Sequence, residues 1–194
     1  STAYYLFTLL QKLNLKVGLI STIENKINQQ SYTSNYTTPD SIELNYLLSR
    51  MVSDNCDYCI MEVSSHGILQ HRIYGLDFDI AVFTNITRDH LDYHHSFNKY
   101  LAAKKIFFDQ LAPSSISIIN NDDENGQNIS LDTKSKKIFY SINTKSDYHL
   151  SIIEDTIDGL NVEINNTQLW SQLVGKFNAY NLLSTYSVAC ELGI

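Results

Sequence analysis

Residues 83 to 95, "FTNITRDHLDYHH", gather Asp89, His90, Asp92, His94 and His95 at the end of an apolar run, and "YLAAKKIFF" comes next with Lys104 and Lys105 in an otherwise apolar segment. Carboxylates beside imidazoles are metal-ligand chemistry. His90 and His94 stand four apart, a spacing that on a helix puts both on one face and could hold a transition metal. The zinc-hydrolase signature has Glu directly after the first His, where this chain has Leu91. The same residues also read as a helix start capped by Asp89. Glu62 ends a second apolar run, "CIMEV", and an ionised carboxylate there must face either water or a cation. Mg²⁺ suits oxygen donors and commonly bridges protein to substrate phosphates, although Glu62 supplies only one anionic charge. One lysine of the pair must point toward the core or a site. It either lays its stem along apolar surface with its head in water, or is desolvated enough to shed its proton and react.

Composition narrows the partners. The chain has 194 residues, room for one domain or for one domain with an appended subdomain. A net charge of -7 with 14 Lys and Arg excludes a basic stripe for nucleic acid, so any phosphate is held locally. No apolar run is long enough to span a membrane and the first residues are no signal peptide, which implies a soluble, cytoplasmic chain without a membrane partner. Three cysteines make no disulfide framework. Cys56 and Cys59 in "CDYC" have metal or redox spacing but no second pair, and read as core thiols.

The elements that must position these residues are set by periodicity. "STAYYLFTLLQKL" carries Tyr5, Leu6, Leu9, Leu10 and Leu13 at helical spacing and leads into the strand "KVGLIST". A helix with nothing before it suggests a chain cut inside a larger architecture. "ENKINQQSYTSNYTTPD" reads as a long loop, and Asp40 or Ser41 caps a helix over "SIELNYLLSRMVSDN". "DYCIMEVSS", "FDIAVFTNI" and "SSISIINNDD" are apolar strands of the doubly buried, parallel kind, with a helix from about Asn98 to Leu111 between the last two. Beyond Asp122, "KKIFYSI", "YHLSIIEDTIDGLNVEIN" and "TQLWSQLVG" read as antiparallel strands with Asp-Gly and Asn-Asn turns, and "NAYNLLSTYSVACELG" is a closing helix. In an open α/β sheet the site lies beyond the carboxyl ends of the strands, where Ser21 and Thr22, the run from Glu62, and the run from Thr84 all fall.

"TTPD", "MEVSSHGILQHR", "FDIAVFTNITRDHLDYHHSFNKYLAAK" and "LVGKFNAYNLL", in this order and spacing, resemble the central ATP-binding domain of the Mur ligases over nearly the whole chain. They are most similar to the branch that adds the third amino acid, meso-diaminopimelate or L-lysine, to UDP-MurNAc-L-Ala-D-Glu in peptidoglycan synthesis. The resemblance implies an α/β fold like that of P-loop NTPases, a mostly parallel sheet flanked by helices with a small antiparallel β subdomain. Residues 1–194 are then expected to be that domain, starting just after its phosphate loop, with the uridine-binding and amino-acid-binding domains outside it. Alone, such a fragment would not catalyse.

The same resemblance implies the site. Glu62 becomes a Mg²⁺ ligand, and His90 a ligand of a second Mg²⁺ between the ATP γ-phosphate and the acyl acceptor. Lys104 matches a lysine that the family carbamylates with CO₂, turning a cation into an anionic oxygen ligand. Thr37, Thr38, Ser64, Gln70 and Arg72 match positions that bind the UDP-MurNAc-dipeptide, and Asn178 and Asn181 match an N-x-x-N near the adenine. Tyr36 stands where some relatives carry Asn, while Asp89 and His94 become structural. ATP would phosphorylate the D-Glu side-chain carboxylate, and the amine of the incoming amino acid would displace phosphate, in a monomeric parent enzyme. A folylpolyglutamate synthetase-like ligase, a non-catalytic nucleotide-binding module and a zinc hydrolase built on "HLDYHH" are the other readings.

Overall fold

Two apolar segments, Val17–Ile20 and Tyr58–Met61, pair in parallel and organise the first part of the chain in the computed structural model, which describes residues 1–87, 89 and 91–194. The chain divides into two units, residues 1–76 and 77–194. The first opens with α1 (Thr2–Lys12), whose Leu6, Phe7 and Leu10 are buried, and β1 (Val17–Ile20), buried at every position. Next comes a hairpin, β2 (Glu24–Ile27) and β3 (Gln30–Thr33), then α2 (Ser41–Ser53), β4 (Tyr58–Met61) and the short α3 (Ser65–Leu69). The sheet order is β3-β2-β1-β4, antiparallel through the hairpin and parallel between β1 and β4.

The hairpin corrects the expectation of a long loop over this polar stretch. Asn25 and Ile27 fill the inward positions of β2, and the whole of β3 is exposed or half-buried, so no apolar alternation marks either strand. Asn28 turns the chain in the left-handed region, at φ 53. Its side-chain Oδ1 accepts from Val17 N at 3.1 Å, which ties the turn to β1.

Asp40 caps α2 as its position suggests, accepting from Ile42 N and Glu43 N, both at 2.9 Å. Leu44, Leu47 and Met51 form the buried stripe of α2. Gly18 lets that stripe approach β1, since a Cβ there would lie 2.2 Å from Met51 Sδ. Cys56 is half-buried and Cys59 exposed, so the expected core thiols are not core: β4 buries none of its side chains fully.

The second unit begins with β5 (Ile80–Phe83), α4 (Leu91–His94), α5 (Phe97–Asp109), β6 (Ile116–Asn120) and α6 (Gly126–Ile129). It ends with β7 (Lys136–Ser141), β8 (Tyr148–Thr156), β9 (Gly159–Ile164), β10 (Thr167–Ser171) and α7 (Lys176–Leu192). Its strands run in the order β10-β9-β8-β7-β6-β5. β7 is not antiparallel, as its alternation suggested, but pairs in parallel with β6, because α6 carries the chain back across between them. β8 is where the sheet changes character. Its first residues pair in parallel with β7, Tyr140 opposite Tyr148, and the remainder runs antiparallel to β9. The expected β9–β10 turn is present, with Asn165 and Asn166 both left-handed at φ 46 and 70. One core cluster of this unit gathers Phe83, Tyr100, Leu101, Phe108, Ile119 and Ile129. Among the described residues, no helix is long and apolar enough to cross a membrane.

Asp40→Ala removes both capping bonds and leaves two amides of the first turn without a partner. The expected loss is about 1 kcal/mol of unfolding free energy, read as a lower urea midpoint at unchanged slope.

Candidate functional site

In the β1–β4 register Ile20 lies beside Met61, so the segments leaving the two strands emerge side by side. Thr22 and Glu62 meet there. Thr22 donates to Glu62 Oε2 twice, from its amide at 3.0 Å and from its hydroxyl at 2.7 Å, and that hydroxyl lies 3.0 Å from Thr37 Oγ1. Glu62 Oε1 accepts no hydrogen bond among the described residues. A carboxylate held through one oxygen, with the other accepting no hydrogen bond among the described residues, is arranged for a cation. Oxygen donors of one negative charge fit Mg²⁺. No cluster of three or more His, Cys, Asp or Glu exists among the described residues, so water and substrate oxygens would complete the shell, as Mg²⁺ commonly accepts.

Thr38 is the pin of this corner. Only 1% exposed, its hydroxyl donates to Glu62 O at 2.9 Å and accepts from Ser64 N at 2.9 Å. Thr37, half-buried, is the hydroxyl of the pair more open to a ligand. Ser64 caps α3, its Oγ accepting from Gly67 N at 3.0 Å. The helix ends in a Schellman motif: Arg72 N donates to Gly67 O at 2.9 Å and His71 N to Ile68 O at 3.1 Å, with His71 left-handed at φ 55. That turn brings Arg72 back toward Thr38, whose carbonyl accepts from Nη1 at 2.6 Å. Gln70 Oε1 accepts from Nε at 2.9 Å and from Nη2 at 2.6 Å. The side-on edge of the guanidinium is thus occupied by a neutral amide oxygen.

The second unit holds the remaining expected residues. Lys104 lies on the apolar stripe of α5, one turn from Tyr100 and Leu101 on one side and Phe108 on the other, all buried. Burial holds its amine below the ordinary lysine value of 10.5, and the ring of Tyr100 lies 5.2 Å from Nζ. Lys105 faces the other way and forms 2.7 Å ion pairs with Asp109 and Asp132. Burial alone would lower it; these partners outweigh that and raise it. Of the two lysines, Lys104 is the one on the core side. His94 is 3% exposed, 5.0 Å from both the Tyr93 and Tyr100 rings, a packing position. His90 lies outside the described residues.

Asn178 and Asn181 stand one turn apart on α7, linked by Asn181 Nδ2 donating to Asn178 Oδ1 at 3.4 Å, while Asn178 Nδ2 donates to Val174 O at 2.9 Å. The start of α7 is anchored by Asp122, a residue that no motif singles out. Its Oδ2 accepts from Tyr180 OH at 2.8 Å, Ile142 N at 2.6 Å and Asn143 N at 3.1 Å. Burial, then this bond to Asp122, pushes Tyr180 up to about 12. Thr22 is likewise a partner of Glu62 that the sequence does not announce. Its place at a strand end is visible there, but the pairing across forty residues needs the β1–β4 register.

A family model described as "Mur ligase middle domain" matches residues 1–189. Over 193 residues the chain is 45% identical to the UDP-N-acetylmuramoyl-L-alanyl-D-glutamate--2,6-diaminopimelate ligase of Cytophaga hutchinsonii, covering 100% of this chain and 40% of that protein. The ligase of the same name from Phocaeicola vulgatus is 46% identical over 191 residues, with 98% and 40% covered. The chain therefore spans about two fifths of these relatives' length. A solved structure of a ligase of that name superposes with a TM-score of 0.88 at 25% identity, covering 100% of this chain and 41% of that one. MurF from Acinetobacter baumannii has the same fold, with a TM-score of 0.77 at 16% identity over 100% of this chain and 40% of that one.

This geometry has two measurable consequences. Thr38→Val keeps the shape but strands Glu62 O and Ser64 N in the interior, an expected loss of about 1–3 kcal/mol in urea unfolding. Lys104→Met should raise the thermal midpoint at pH 7 in metal-free, bicarbonate-free buffer, because a charge disfavoured by burial is gone. Between its lowered pKa and that of an ordinary lysine, the unfolded chain binds more protons than the folded one, so parent stability climbs with pH. The gap to Lys104→Met should then close as pH approaches 10.5. A midpoint unchanged at pH 7 would mean a solvated Lys104.

Proposed function

This chain belongs to the Mur ligase middle-domain family, and from that membership we propose that the protein carrying it is an ATP-dependent ligase joining meso-diaminopimelate to UDP-MurNAc-L-Ala-D-Glu in peptidoglycan synthesis. The names of its 45–46% identical relatives favour diaminopimelate over lysine. The observation that carries the reading is Glu62, a carboxylate held by Thr22 through one oxygen, with its second oxygen accepting no hydrogen bond among the described residues.

In this reading Glu62 would hold one Mg²⁺ and His90 a second, ions that would offset the charge of the transferring phosphoryl group. The D-Glu side-chain carboxylate attacks the ATP γ-phosphorus, ADP leaves, and the amine of diaminopimelate then attacks the acyl phosphate and expels phosphate. Arg72 grips a carboxylate of the nucleotide peptide through the N–H groups that Thr38 and Gln70 leave, and Gln70, Thr37, Thr38 and Ser64 serve the same substrate. Asn178 and Asn181 offer donor and acceptor to the adenine. Lys104 reacts with CO₂ through its unprotonated amine: an N–C bond forms, the nitrogen loses a proton, and a carbamate anion replaces a cation. The lowered pKa of Lys104 supports that role, since only the neutral amine is nucleophilic.

In the full-length protein, ATP consumption should require Mg²⁺, the UDP-MurNAc-dipeptide and diaminopimelate together, followed as phosphate release. Lys104→Ala should lower kcat by about a hundredfold or more. ATP turnover indifferent to the muropeptide would remove the third-residue assignment.

A further inference from the structure

Tyr36 has no role in the proposed reaction, yet the central carbon of the Arg72 guanidinium sits over its ring, 5.1 Å from the ring centroid. The in-plane directions of that guanidinium are already held, Nη1 by Thr38 O and the Nε/Nη2 edge by Gln70 Oε1. Three of its five N–H groups are engaged, which leaves two, one on each terminal nitrogen. Among the described residues no carboxylate pairs with Arg72, so the cation is held in place by neutral acceptors and an aromatic face alone. In-plane bonds resist sliding, but they resist tilting of the plane poorly. The contact with the Tyr36 ring adds a restraint from outside that hydrogen-bond set and covers one side of the charge. The ring is not there to fill a core, being 56% exposed. Its loop is itself fixed two residues earlier, where Ser34 Oγ donates to Ser21 O at 2.7 Å.

We infer that Tyr36 is a positioning residue, whose ring holds the plane of Arg72 so that the two remaining N–H groups meet an oxyanion of the substrate, a carboxylate of the peptide portion. The inference rests on the reading of Arg72 as substrate-binding. Because Tyr36 directly precedes Thr37, the loop that brings a hydroxyl to the same substrate also orients the arginine. The ring is the working part, and the phenolic oxygen is not required.

The test uses the full-length protein, with separate KM values for the UDP-MurNAc-dipeptide and for ATP. Tyr36→Leu should raise the muropeptide KM about two- to fivefold, with kcat and the KM for ATP moving less. Tyr36→Phe should recover the parent KM. In an Arg72→Lys background, which keeps the charge and loses the planar face, Tyr36→Leu should add no further increase. A Tyr36→Leu variant of parental KM, an equal rise for ATP, the same rise on Arg72→Lys, or a Tyr36→Phe as impaired as Tyr36→Leu would each overturn the inference. Thermal midpoints of the variants separate misfolding from loss of orientation. A parent protein with no muropeptide-dependent turnover would defeat the ligase reading before any variant was made; a competent parent with a silent Tyr36→Leu defeats this inference alone.

Discussion

The parallel ladder between β1 and β4 is the constraint on which the first unit depends. It holds Val17 opposite Tyr58 through Ile20 opposite Met61, and the chains leaving both strands must therefore emerge together. The contact between the two departing segments depends on this register: Thr22 reaches Glu62, and Thr37 reaches Thr22. A slip of one residue would carry Glu62 away from Thr22. The tight fit of Gly18 under Met51 opposes such a slip from the helix side.

Within this corner the polar residues divide by what they serve. Thr38 and Ser64 satisfy backbone groups and hold the loop and α3 together. Glu62 Oε1 and two N–H groups of Arg72 make no hydrogen bond among the described residues. One is an acceptor and the other a donor pair, a combination suited to a ligand carrying both a cation and an anionic oxygen. The left-handed His71 is part of the same arrangement, since it closes α3 early enough for Gln70 and Arg72 to face one another. A side chain with a Cβ tolerates that conformation at a cost of about 1–2 kcal/mol, which the two Schellman bonds help to offset.

Lys104 and Lys105 show how one helical step separates two fates. Lys105 steps off the apolar stripe and finds two carboxylates, so its charge is favoured. Lys104 remains on the stripe beside Tyr100, Leu101 and Phe108, where desolvation favours the neutral amine. Periodicity could say that one of the two faced inward. The partners of Lys105, one of them Asp132 beyond β6, decided which.

From the sequence by itself came α1, α2, α5 and α7, the strands β1, β4, β5 and β6, the α2 cap at Asp40 and the Asn165-Asn166 turn, because apolar period, capping chemistry and turn chemistry are local properties. The resemblance of its motifs pointed to the family without any coordinates. The β2–β3 hairpin stayed hidden because Asn25 fills an inward position that an apolar residue would have marked, and β7 was misread because alternation carries no information on strand direction. Only the tertiary structure paired Thr22 with Glu62, laid Tyr36 over Arg72 and anchored α7 through Asp122. Each of those contacts joins residues far apart in the chain, and their meeting is set by strand register and by helix ends rather than by any local pattern.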